Sequence, residues 1–151
     1  MSDSIPPDPE LSPKVKRMAY ILAKGTNFVL MGTFGFFFSK SPVGESHSFK
    51  VAFMWGLLFL NMSLIQDTFA PMSFGFFPPF KVVARQIIHM FLTMALTTYC
   101  GFPVMFGFQL LMIGIWIYLL EENGFFDWKF GLSSEPPKEL AWHRHKSFFG
   151  T

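Results

Sequence analysis

Arg85 and His89 stand four residues apart in KVVARQIIHMFLTM, residues 81–94, a stretch otherwise dominated by apolar side chains. On a helix that spacing puts both on one face, about 6 Å apart along the axis at ~1.5 Å per residue. An imidazole beside a guanidinium offers two kinds of chemistry. The pair can anchor a helix at a membrane interface, with the long Arg85 side chain returned to the lipid headgroups. Or it can grip a redox cofactor, His89 ligating haem b or hydrogen-bonding a quinone beside Arg85. A bis-histidine haem needs a second imidazole across the macrocycle, and His47, His143 and His145 are expected in a loop and a polar tail. Any haem would be shared with a partner subunit's histidine, as in a succinate dehydrogenase membrane anchor, although no run of the sequence matches such an anchor. The interfacial anchor, with Arg85 paired to Asp67, is the reading adopted. No cofactor is expected, and a bound phospholipid suits the same cations.

Other chemistry has less to build on. There is no HExxH, GxSxG or Gly-rich phosphate loop, and no two carboxylates share a helix interior. Cys100 is the single cysteine, so neither an internal disulfide nor a zinc-ligand pair can form. His143-Arg144-His145 points its imidazoles the same way only in an extended chain, a weak metal motif. A net charge of +2 and the lack of a basic run interleaved with aromatics exclude nucleic acid as a partner. The expectation is a protein that is not an enzyme.

The elements that must position these residues follow from hydropathy. Of the 151 residues 51% are apolar, with 22 Phe and 10 Met, and the charged side chains avoid whole stretches. A soluble helix keeps one wet face, whereas these segments are apolar all round. Four come near the ~20 residues that a ~30 Å hydrocarbon layer demands: about 18–38, 49–69, 82–100 and 102–120. Gly101 and Pro103 break the chain between the last two, which reads as a tight hairpin. The fold class is therefore an all-α membrane protein of four transmembrane helices in two hairpins. A Pro-rich polar tail (1–17) precedes the transmembrane domain (18–122), and an aromatic and basic tail (123–151) follows it. The tail's Asp3, Asp8, Glu10 and prolines suit neither a signal peptide nor a mitochondrial presequence, so it is expected to be retained.

Four crossings put both termini on one side. Lys14, Lys16, Arg17, Lys24, Lys81, Arg85, Lys129, Lys138, Arg144 and Lys146 then share that side, leaving Lys40 and Lys50 opposite. Such an excess marks the cytoplasmic or matrix face. Lys24 lies near enough to one end of its segment to snorkel, and Asp67, Lys81, Trp128 and Trp142 are further interfacial anchors.

The segments also advertise packing. Gly25 and Gly32, with Gly35 beyond, and Gly107 and Gly114 recur at two-turn spacing and would let another helix approach. Residues 67–80, DTFAPMSFGFFPPF, are too irregular to span and too oily to be a free loop. NGFFDWKFG (123–131) continues as an aromatic belt, and a short helix is expected over about 136–146. No internal repeat argues for transport.

Three function classes fit. The leading one is a non-catalytic accessory subunit of a large membrane complex, a respiratory or ATP synthase complex of the mitochondrial inner membrane with both termini in the matrix. It would contribute assembly and packing against other subunits and lipids. The alternatives are the haem or quinone anchor using His89 and Arg85, and a small channel, transporter or translocase component.

Overall fold

A computed structural model describes residues 11–39, 45–71 and 79–137. Trp142, residues 138–146 of the expected helix, the first ten residues and residues 72–78 of the 67–80 connection lie outside the described residues, as do the side chains of residues 45–48. Five helices carry the described chain: α1 (Pro13–Phe38), α2 (Glu45–Phe69), α3 (Phe80–Cys100), α4 (Phe102–Glu122) and α5 (Phe125–Lys129).

Local chemistry sets their ends. Ser12 caps α1 by accepting from the Val15 amide at 3.4 Å, and Pro13 enters the first turn, where a missing N–H costs nothing. The helix therefore begins five residues before the apolar run does, because the polar turn Lys14–Arg17 continues it beyond the hydrophobic stretch. At 26 residues and ~1.5 Å each it is about 39 Å long. Between α3 and α4 the break falls on Gly101, whose φ of +86° is strained for any residue with a Cβ. The aromatic belt after α4 contains a helical turn: Asn123 Oδ1 accepts from the Phe125 amide at 3.0 Å and starts α5.

Successive helices run in opposite directions, as their contacts require. Tyr20, Lys24 and Gly32 of α1 meet Asp67, Ser63 and Ala52 of α2 in descending order. Thr97 and Gln86 of α3 meet Met54 and Met62 of α2, again in reverse. Along α4, Gln109 meets Asn61 and Trp116 meets Phe69, so α4 is parallel to α2. The second helix is the hub, packed against α1, α3 and α4. The apolar core, Leu64, Ile65, Val82, Trp116, Leu120 and Phe125, gathers where α2 and α4 end and α3 begins. At that same end Tyr20 packs its ring within 6.1 Å of Phe125, 5.9 Å of Phe126 and 5.8 Å of Phe130, placing the start of α1 beside α5.

The described chain is helical, and three of its helical stretches, Pro13–Phe38, Phe49–Phe69 and Phe102–Glu122, are long and apolar enough to cross a membrane. The third segment of the sequence reading has the length, at 21 residues, but Arg85, Gln86, His89 and three threonines hold its hydropathy below that of the others.

Candidate functional site: a buried polar node and an ion cluster

The centre of the bundle is polar. Asn61 from α2, His89 and Thr93 from α3 and Gln109 from α4 are all buried, none more than 4% exposed. Gln109 holds them together. Its Oε1 accepts from Asn61 Nδ2 at 2.5 Å and faces His89 Nε2 at 2.8 Å, while its Nε2 donates to Thr93 Oγ1 at 2.6 Å. Thr93 uses its own proton on the His89 carbonyl at 2.8 Å, so its oxygen must receive the amide N–H from Gln109. That fixes the amide orientation, and with it the histidine: facing an acceptor, His89 carries its proton on Nε2. The imidazole also stacks on Phe108 at 5.4 Å and 22°. Asn61 Nδ2 donates further to the carbonyls of Leu57 (3.1 Å) and Gln109 (3.2 Å), whereas Asn61 Oδ1 and Trp116 Nε1 have no protein partner among the described residues.

His89 is thus turned inward on its helix rather than held at an interface, with its Nε2 against Gln109. Arg85, one turn earlier, is half-buried. The guanidinium lies 4.1 Å from the centroid of the Phe69 ring and reaches the Lys81 carbonyl at 3.4 Å. Helical spacing put the two residues on one side, but the packing of α4 captured only the deeper one.

Asp67 has other partners than the expected Arg85. Tyr20 donates to its Oδ2 at 2.7 Å, and Lys24 Nζ stands 2.7 Å from the same oxygen while also donating to Ser63 Oγ. Lys24 therefore does not extend to the headgroups; it crosses from α1 to α2. The side chains of Lys24 and Asp67 are only 17% and 23% exposed. A serine beside a lysine amine resembles the nucleophile and base of Ser–Lys hydrolases. Here the Lys24 amine is shared between Ser63 and the Asp67 carboxylate, which joins α1 to α2. The cluster's chemistry is that of an interhelical tie.

The glycines divide. A Cβ on Gly35 would lie 2.7 Å from Trp55, and one on Gly32 would lie 3.3 Å from the Ala52 carbonyl, so both serve the α1–α2 contact. Gly56, which the spacing did not single out, does the same from α2, where a Cβ would meet the Phe28 ring at 2.8 Å. Gly25, Gly107 and Gly114 have nothing within 4 Å and lie on exposed faces. Of the other anchors, Lys81 is exposed at the start of α3, and Trp128 sits half-buried 6.0 Å from the Phe125 ring. Among the described residues no three His, Cys, Asp or Glu side chains gather to hold a metal.

The class that fold and site define is a protein helical over its described residues, with three helices long and apolar enough to cross a membrane and buried polar side chains tying the bundle together. No protein family, curated protein or solved structure matches the chain.

Proposed function

We propose that this chain is a non-catalytic structural subunit of a larger membrane assembly, crossing the bilayer four times with both tails on the more basic side. Support for the fourth crossing comes from direction. Because α2 and α4 run parallel, a chain that crosses with both must return between them, and α3 packs antiparallel across the same depth. Charge agrees: Lys16, Arg17, Lys81, Arg85 and Lys129 lie at one end of the bundle, while Lys50, 5.8 Å from the Phe102 ring, lies at the other.

One observation carries the structural role. Asn61, His89, Thr93 and Gln109 bond to one another and to the chain's own helices, leaving only Asn61 Oδ1 and Trp116 Nε1 unpartnered among the described residues, while α1, 26 residues long, fully buries only Gly35. Its remaining apolar surface, Ile21, Leu22, Leu30 and Phe37 among it, is left for lipid or for neighbours. A respiratory or ATP-synthesising complex of the mitochondrial inner membrane, with the basic end in the matrix, is the assembly we assign, on the sequence reading given above. Extraction in mild detergent followed by native gel electrophoresis and identification of co-migrating proteins tests this. The chain should travel in a species far larger than its 17.3 kDa. A stable monomer with turnover of its own would remove the proposal.

A further inference from the structure

Two cavities of similar size open on α1, and they differ in one respect. The first, about 340 Å³, is lined by phenylalanines 28, 36, 37, 49 and 53 with Gly32 and carries no charge. The second, about 300 Å³, lies between α1, α2 and α4, with Leu60, Leu64, Ile113 and Ile117 as its apolar wall. Its mouth is cationic. Arg17 lines it, 5.7 Å from the centroid of the Phe130 ring that closes the same end, and Lys16 Nζ stands next to Gly131, 2.9 Å from where a Cβ would be. Lys24 also lines the groove, but Asp67 neutralises it. Among the described residues neither Lys16 nor Arg17 has a carboxylate in ion-pair range.

From this we infer that the α1–α2–α4 groove binds one acyl chain of an anionic phospholipid, with the lipid phosphate held between Lys16 and Arg17. The layout follows the bilayer normal. The hydrocarbon-lined part lies among helices that face the membrane interior, and the two cations sit on the first turns of α1, which extend past the apolar run into the headgroup layer. The charge-free cavity is the internal control, since it can accept an acyl chain but has nothing with which to read a headgroup.

The test uses the full chain, stripped of lipid in detergent and incubated with phosphatidylglycerol or phosphatidylcholine of identical acyl chains, with retained lipid counted by native mass spectrometry. A basic side chain near an anionic headgroup is worth about fivefold in binding. Phosphatidylglycerol should therefore be retained roughly twenty-five-fold better, and high salt should erase the preference without releasing phosphatidylcholine. Arg17→Gln with Lys16→Gln should abolish the preference. Ile117→Trp, which fills the groove, should remove it as well, and Val29→Trp in the uncharged cavity should leave it intact. Equal retention of the two lipids, a preference that survives Arg17→Gln with Lys16→Gln, or photo-crosslinking from position 117 in native membranes to protein rather than lipid would overturn the assignment. The salt arm needs no variant and so does not depend on any substitution folding.

Discussion

Replacing Gln109 with leucine is the sharpest perturbation available to this bundle. Leucine has a similar volume, so no cavity opens, but three side-chain hydrogen bonds that tie α4 to α2 and α3 vanish: those with Asn61, His89 and Thr93. Between membrane helices such bonds average ~0.6 kcal/mol, which gives about 2 kcal/mol for the three. Their partners do not fare equally. Asn61 keeps the carbonyls of Leu57 and of residue 109, and Thr93 keeps the His89 carbonyl. The His89 Nε2–H is left facing hydrocarbon with no acceptor, which adds about 1–3 kcal/mol. The expected loss is about 3–5 kcal/mol, read by equilibrium unfolding in mixed micelles with helical circular dichroism as the signal. Adding His89→Leu removes the stranded donor, so the double variant should recover about 1–3 kcal/mol of that loss. A Gln109→Leu protein as stable as the unmodified chain would refute the node as a structural tie. So would a double variant showing no recovery.

Lys24→Met should destabilise by about 2 kcal/mol, less than the 3–5 kcal/mol of a fully buried pair because both side chains keep some exposure, and Asp67→Leu on top of it should restore most of the loss in the same unfolding assay. Gly35→Ala should loosen α1 from α2 at a cost of about 1–3 kcal/mol, since Trp55 Cβ and Cγ sit too near the backbone to swing away, whereas Gly25→Ala and Gly107→Ala should leave the melting temperature unchanged. Gly101→Val should destabilise the α3–α4 hairpin by at least 1 kcal/mol, because its φ of +86° suits no β-branched residue, and limited proteolysis should then cut near position 101.

Helix positions were legible because hydropathy and punctuation act locally. The segments expected over 18–38, 49–69, 82–100 and 102–120 match α1 to α4 to within a few residues, and Gly101 with Pro103 marked the α3–α4 break. The early start of α1 was written in Ser12 and Pro13, a capping signal that a hydropathy reading passes over. The polar node was not legible as a node. Asn61, His89 and Gln109 were visible one by one, but their meeting depends on how three helices rotate about their axes, and a single segment's periodicity does not carry that information. The weak amphipathicity of α2 and α4, apolar on every face, removes the usual guide. For the same reason Asp67 was matched with Arg85, its neighbour in the next segment, while the fold gave it to Tyr20 and Lys24 on α1. Gly56 escaped notice because it has no glycine partner at helical spacing on α2; its partner is the Phe28 ring across the interface.

The alternation of four helices underlies the placement of the tails and the direction of the lipid groove, and thiol labelling in sealed membrane vesicles tests it directly. With Cys100→Ser as background, single cysteines at Ser12, Lys50 and Ser133 would be probed with a membrane-impermeant maleimide from each side in turn. Ser12→Cys and Ser133→Cys should label from one face and Lys50→Cys from the other. Labelling of positions 12 and 133 from opposite faces would contradict four crossings.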